Sequence, residues 1–387
     1  MGVTALAGFV FWAICARLYS QEQVGYATAL ISALGLAVSL ANLGLSRTII
    51  RFFHDSTTRE ADLATKLAII LASSTVVGIV MSFLLDSMGV TNPTLWTGLI
   101  FTAAAVVASV KMIFDNVFIA LKASSGALTT NVVFSGLKLV LPFLLVGWGF
   151  VGIFAAHAIG LVAGIIVAII VLAKRHQIQT AARLHADSMR GKWRFAFGTY
   201  SADLIGGLPN NLLPLIVVGK LGAATGALWY TAMLITNFLL TISSSINQAM
   251  FAEISSSKVG IGSFIKKAAF GMYGLVIPIA VLVIIFAPFV LGLFSPEYRE
   301  ATEVLRILAI GAIVGIANYI TGSILSLYKK VGFLTLVNGV NAVVVITYAY
   351  LFAADITGIA YGWILGEIAN ILLFSAGALY FYKKENS

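Results

Sequence analysis

Six ionisable residues stand inside long apolar stretches of this sequence: Lys111, Asp115, Lys138, His157, Asp203 and Glu367. A charge at the centre of a bilayer costs at least ~2.5–3.5 kcal/mol on insertion scales, so each one calls for a compensating role. Lys138 lies eleven residues into the run Ala127–Val146, near its middle by helical rise and too deep to reach either surface easily. A cation there either meets an anion in a cavity or closes a structural ion pair. Lys111 sits at comparable depth on the preceding run, with Asp115 one helical turn further along the same face. These two either neutralise each other or form a pair that a competing anion opens. Asp203 and Glu367 are candidates for a proton or cation site coupled to an ion gradient, although Asp203 is close enough to one end to be hydrated. His157 titrates in a useful range, but a lone histidine on an apolar helix reads as a hydrogen-bonded packing residue.

The elements that must position these groups follow from composition. The chain has 387 residues, 60% hydrophobic and 10% charged, with a mean hydropathy of +1.01. Soluble domains are about 45–50% apolar and about 25% charged, so this chain has too little polar surface to face water. Disorder is excluded by the same numbers, and a disulfide framework by a single cysteine, Cys15. Twelve apolar runs, from Val3–Leu18 to Gly358–Tyr382, are long enough to span or nearly span hydrocarbon of ~30 Å. Their continuity predicts an all-α integral membrane protein rather than a barrel. Val3–Leu18 has no basic residue before it and reads as a short first helix, not a signal peptide.

Lys and Arg outnumber Asp and Glu by 24 to 15. Eighteen of the basic residues fall in loops on one side, among them Arg47, Arg51, Arg59, Lys66, Arg183, Lys192, Lys258 and Lys329. Four fall on the other: Arg17, Lys220, Arg299 and Arg306. The positive-inside rule then puts both termini in the cytoplasm.

The runs divide into two six-helix lobes, 1–173 and 195–387, joined by a basic segment, 174–194. That segment carries six basic residues against Asp187 alone, and either lies on the anionic inner leaflet or is a solvated linker. Gly126, Leu128, Thr129, Gly152, Ile153 and Gly160 match Gly332, Leu334, Thr335, Gly358, Ile359 and Gly366 without a gap. Tyr26, Leu30 and Ile31 match Tyr230, Leu234 and Ile235. An even number of spans per copy makes this a parallel repeat, an arrangement transporters use to place substrate between halves. Span seven carries Gly206, Gly207, Pro209, Asn210, Asn211 and Pro214 at mid-depth. Its prolines predict a kink or break, acting as a hinge or a static bend, whose freed carbonyls and amides would face a wet cavity. Asn318, Asn338, Asn341 and Asn370 line that cavity or hydrogen-bond across helices.

Residues 16–53, ARLYSQEQVGYATALISALGLAVSLANLGLSRTIIRFF, resemble the first two spans of polysaccharide-repeat-unit flippases. These belong to the multidrug/oligosaccharidyl-lipid/polysaccharide (MOP) exporter superfamily. Residues 294–310, FSPEYREATEVLRILAI, are similar to that family's outer turn between its ninth and tenth spans, and 219–235, GKLGAATGALWYTAMLI, is a weaker likeness. The resemblance implies a two-lobed, twelve-helix flippase moving a polyprenyl-diphosphate-linked glycan outward by alternating access. In that reading Lys138, Lys111, Asn210 and Asn211 contact the diphosphate or line the cavity. Asp115 holds Lys111 until a diphosphate displaces it. Members often carry an acid before the Leu-rich end of span seven, where this chain has Asn210 and Asn211. The implied partners are the lipid-linked glycan, membrane lipids and polysaccharide assembly machinery, with no nucleic acid and no cofactor.

Two other readings compete. A multidrug or cation antiporter of the same superfamily predicts an acidic, aromatic-lined cavity, and the mid-depth lysines weigh against it. A membrane glycosyltransferase or ligase needs a large outer loop, whereas the outer segments run to about ten residues. Its only acid-x-acid element is Glu60-Ala61-Asp62, which reads as a solvated loop face. There is no phosphate-binding Gly-x-x-x-x-Gly-Lys loop, Cys/His cluster or His-Glu-x-x-His, so nucleotide hydrolysis and a zinc site find no support in the sequence.

Overall fold

The computed structural model describes residues 2–53, 59–87, 95–178, 184, 189–256, 261–327 and 330–386. Arg183, Asp187, Lys258 and Lys329, with much of the basic linker, lie outside these residues. Every regular element among them is helical. The first seven helices are α1 (Gly2–Leu18), α2 (Gln21–Ala41), α3 (Leu45–Phe52), α4 (Arg59–Ser87), α5 (Leu95–Ala120), α6 (Ser124–Leu144) and α7 (Phe150–His176). They are followed by α8 (Trp193–Leu221), α9 (Ala223–Ser256), α10 (Ile261–Ile285), α11 (Ala287–Gly292), α12 (Thr302–Leu327), α13 (Val331–Leu351) and α14 (Ile356–Asn386). Eleven of these are long and apolar enough to cross a membrane, and Leu6–Leu18 is a shorter apolar helix. The fold is therefore all-α, with about twelve membrane helices.

Burial is inverted relative to a soluble protein. Phe83, Leu144, Phe270, Val343 and Leu372 stand exposed, while Asp62, Lys66, Ser109, Lys111 and Thr130 are buried. Such a surface is stable only against lipid. Helix, in turn, is the one open-ended element that satisfies every backbone group within its own segment there.

The chain forms two compact units, Met1–Leu204 and Ile205–Ser387, and the division falls inside α8. Unit 1 holds five long helices, the shorter α1 and the short α3. Unit 2 holds most of α8, five further long helices and the short α11. The start of α8 belongs to unit 1 by its contacts. Tyr200 donates its hydroxyl to the Leu40 carbonyl at 2.8 Å, and Phe195 meets Phe52 edge-on at 5.6 Å. Ala196 lies against Gly44, whose φ is +79° and where an added Cβ would stand 2.3 Å from the Ala196 carbonyl oxygen. Gly44→Ala should therefore lower stability by roughly 2–4 kcal/mol, the sum of left-handed strain and overpacking against an unyielding backbone. Thermal unfolding in detergent would read this as a lower midpoint.

One repeated pair of glycines, Gly160 and Gly366, has a packing reason. In unit 1 an added Cβ on Gly160 of α7 would lie 3.0 Å from the Phe134 carbonyl oxygen of α6. In unit 2 the matching Gly366 of α14 faces Val345 of α13, with the added Cβ 2.3 Å from its Cγ2. In both hairpins the second helix approaches the first where a side chain would not fit.

Three expectations change. The described residues of 46–66, expected as a loop, are largely helical: α3 runs Leu45–Phe52 and α4 begins at Arg59. Leu45, Thr48, Ile49 and Phe53 bury one face of α3 in unit 1, and α4 starts well before its apolar run. Asp62 is accordingly no solvated acid and Lys66 no loop cation: they are 2% and 0% exposed and form an ion pair one turn apart. Span nine, the apolar run Ile265–Phe294, is not one helix: α10 ends at Ile285, and Phe286 separates it from α11. Finally, α8 is not broken, running continuously from Trp193 to Leu221 with Pro209 and Pro214 inside it.

Candidate functional site

The two mid-depth lysines of unit 1 sit in different environments. Lys111, on α5, is 3% exposed. Its ammonium donates to Asp115 Oδ1 at 2.5 Å and to Asn131 Oδ1 at 3.3 Å. Its stem crosses Gly164 of α7, where an added Cβ would lie 2.7 Å from Lys111 Cε. The carboxylate of Asp115 keeps about a third of its surface open, at 36%. A salt bridge with one open flank can exchange partners more readily than one sealed on all sides.

Lys138, on α6, has no carboxylate paired with it among the described residues. Its ammonium lies 4.1 Å from the Phe11 ring centroid and 5.6 Å from that of Phe134. Those aromatic faces replace water with the negative side of a ring quadrupole, which compensates a cation only in part. His157 of α7 meets Phe134 edge-on at 5.5 Å. It packs as expected, but its buried Nδ1 has no hydrogen-bond partner among the described residues. Nothing along the chain signals that Phe11, more than 120 positions away, faces Lys138.

Asp203 is held by a partner sequence reading did not find. Arg47 of α3 donates Nε and one terminal nitrogen to its two carboxylate oxygens at 2.7 and 2.8 Å. Both side chains are about half exposed, at 50% and 44%. Arg51 stacks nearby, 4.6 Å from the Phe195 ring and 5.4 Å from that of Phe52. Lys192 lies 3.9 Å from Asp62 Oδ1 and 5.5 Å from the Phe52 ring. Asp203 thus stands in unit 1, among basic and aromatic side chains.

Unit 2 encloses a cavity of about 460 Å³ between α8, α9, α12, α13 and α14. Six asparagines line it: Asn210, Asn247, Asn318, Asn338, Asn341 and Asn370. Gly206, Pro209, Ser323, Ser326, Tyr319, Trp363, Phe374 and Glu367 complete the polar and aromatic wall. Glu367 Oε2 accepts a hydrogen bond from Asn318 Nδ2 at 2.6 Å, and the same amide reaches the Glu367 carbonyl at 3.2 Å. Ser323 donates to Asn247 Oδ1 at 3.0 Å. The four asparagines singled out in spans ten to twelve all reach this cavity, joined by Asn247, Tyr319 and Trp363, which lay unremarked in apolar surroundings.

The candidate hinge residues part company here. Gly206 and Pro209 line the cavity with Asn210, whereas Asn211 is not in its wall and donates Nδ2 to the Gly207 carbonyl of its own helix at 3.1 Å. Pro214 borders a second, smaller space of about 60 Å³, which Asn210 also lines with Trp229 and Tyr230. Among the described residues there is no group of three or more His, Cys, Asp or Glu placed to hold a metal ion.

Solved structures share the fold. A multidrug resistance MATE family transporter of the MOP superfamily, in an inward-facing conformation, matches with a TM-score of 0.73 at 16% identity, over 99% of this chain and 96% of that one. The lipid II flippase MurJ, in an inward closed conformation, matches with a TM-score of 0.74 at 12% identity, over 96% and 85%. A MOP superfamily transporter from Pyrococcus furiosus matches with a TM-score of 0.66 at 16% identity, over 98% and 92%. At such identities the likeness establishes the fold. No curated protein sequence matches the chain. The family described as polysaccharide biosynthesis protein matches residues 1–254. With the MOP fold in place and about two thirds of its sequence matched, this chain belongs to the polysaccharide biosynthesis protein family.

Proposed function

We propose that the protein is a flippase that carries polyprenyl-diphosphate-linked oligosaccharide repeat units from the cytoplasmic to the outer leaflet by alternating access. The observation that carries this reading is the family match taken together with an amide-lined cavity midway along membrane helices. Crossing hydrocarbon, a glycan must exchange water for other hydrogen-bond partners. Six asparagine side chains supply donors and acceptors without imposing a net charge. A diphosphate needs positive charge instead, and Lys111 and Lys138 are mid-depth cations suited to it.

Lys111 would exchange Asp115 for a phosphate oxygen, and Lys138 would leave the Phe11 ring for one. Coupling to an ion gradient would fall to Asp115, Asp203 or Glu367. The first two are each held by a cation, so ion uptake there requires Lys111 or Arg47 to let go. Glu367 is held by an amide. Gly206, Gly207, Pro209 and Pro214 form the flexible part of α8, since each proline deletes one backbone hydrogen bond from a helix that otherwise continues. With the buried Lys66 set aside, seventeen basic residues on one side against four on the other support cytoplasmic termini in the cell membrane, with the assembly machinery supplying and removing substrate.

One observation favours the antiporter reading. The cavity pairs Glu367 with Trp363, Tyr319 and Phe374, the acidic and aromatic lining expected for an organic cation. The experiment separating the two is reconstitution in liposomes carrying a fluorescent polyprenyl-diphosphate glycan. The flippase reading predicts protein-dependent exchange between leaflets, read as added accessibility to an impermeant quencher. Absence of exchange, with proton-driven uptake of an organic cation, would establish the antiporter.

A further inference from the structure

We infer that the unit-2 cavity is a sugar-recognition subsite whose wall of amides and one carboxylate admits neutral and amino sugars and rejects sugar acids. This rests on the flippase reading and names the substrate class that reading leaves open. Three groups in that wall set this preference. Glu367 has one carboxylate oxygen engaged by Asn318 and is paired with no cation among the described residues. Asn318 Oδ1 and Asn370 Oδ1 are both buried without a donor among the described residues, and Asn370 is only 8% exposed. A buried acceptor without a donor is costly. Both oxygens lie on side chains that line the cavity, so turning them toward it lets a ligand rich in O–H or N–H groups satisfy them.

Sugar hydroxyls meet that requirement, and the ammonium of an amino sugar meets it with charge added. A sugar carboxylate fails twice over, bringing further acceptors and a like charge against Glu367. Trp363 and Tyr319 line the same space and offer large flat faces with a polar edge, suited to a pyranose ring. The volume, about 460 Å³, falls within the ~300–1,000 Å³ of ordinary ligand pockets. It accommodates a short stretch of glycan, leaving the lipid chain in the bilayer.

The test is calorimetric titration of the purified full-length protein, at neutral pH in sodium-free buffer, with maltotriose, a glucosamine trimer and trigalacturonate. The expected order is glucosamine trimer, then maltotriose, with trigalacturonate weaker than maltotriose by on the order of tenfold or more. Glu367→Gln keeps an acceptor for Asn318, and should bring trigalacturonate close to maltotriose while erasing the preference for the amino sugar. Should that variant fail to fold, the wild-type ranking decides alone. Equal binding of all three sugars by the wild type, or binding of none, overturns the inference. Heat from added sodium with none from any sugar overturns it too, and makes the cavity an ion site. The flippase reading fails separately: trisaccharide binding without leaflet exchange refutes it, whereas exchange without trisaccharide binding refutes only the subsite.

Discussion

Asp62→Asn is expected to destabilise the protein by about 3–5 kcal/mol, the usual consequence of leaving one member of a buried pair uncompensated. Lys66 has no exposed surface, and its counter-charge is the Asp62 carboxylate one turn earlier on α4. The neighbouring cation, Lys192 at 3.9 Å from Asp62, would then add repulsion instead of relief. Thermal unfolding in detergent should show a large drop in midpoint. The double replacement Asp62→Leu with Lys66→Met should recover most of it, because well-packed apolar side chains replace a buried ion pair at little or no cost. An Asp62→Asn protein as stable as the wild type would mean that water reaches Lys66. The pair is also a lesson in reading loops. Glu60 and Asp62 look like solvated acids because the apolar run of α4 begins only at Leu67, yet the helix starts two turns earlier and turns Asp62 inward.

Lys138→Met should do the reverse, leaving stability unchanged or improved while leaflet exchange falls by on the order of tenfold or more. The magnitudes decide the sign. A cation at mid-depth costs ~2.5–3.5 kcal/mol on insertion scales. A ring at 4.1 Å returns about 0.5–2 kcal/mol. With no carboxylate paired to it among the described residues, Lys138 is a net burden on the fold, and methionine of similar length would pack against Phe11 and Phe134 without the penalty. A residue kept at a loss in stability is kept for work, and under the proposed function that work is meeting phosphate. Lys138→Arg should retain measurable exchange. Exchange at the wild-type rate in Lys138→Met would remove this lysine from the substrate path and leave Lys111 to carry the diphosphate alone.

What the sequence determined by itself is whatever depends on near neighbours along the chain. Apolar runs of about twenty residues fix the number of membrane helices, since backbone polarity leaves hydrocarbon no other option. Four-residue spacing placed Lys111 beside Asp115, and Gly160 with its match Gly366, 206 positions on, marked a close helix pair in each unit. Tertiary structure decided which charges are spoken for. Asp203 and Glu367 look alike on paper, yet one is clamped by Arg47 from 156 residues away and the other holds only the amide of Asn318, 49 residues distant. Partners that far apart are chosen by which helix faces meet in packing, and hydropathy along one segment carries no record of the face its distant neighbour will present.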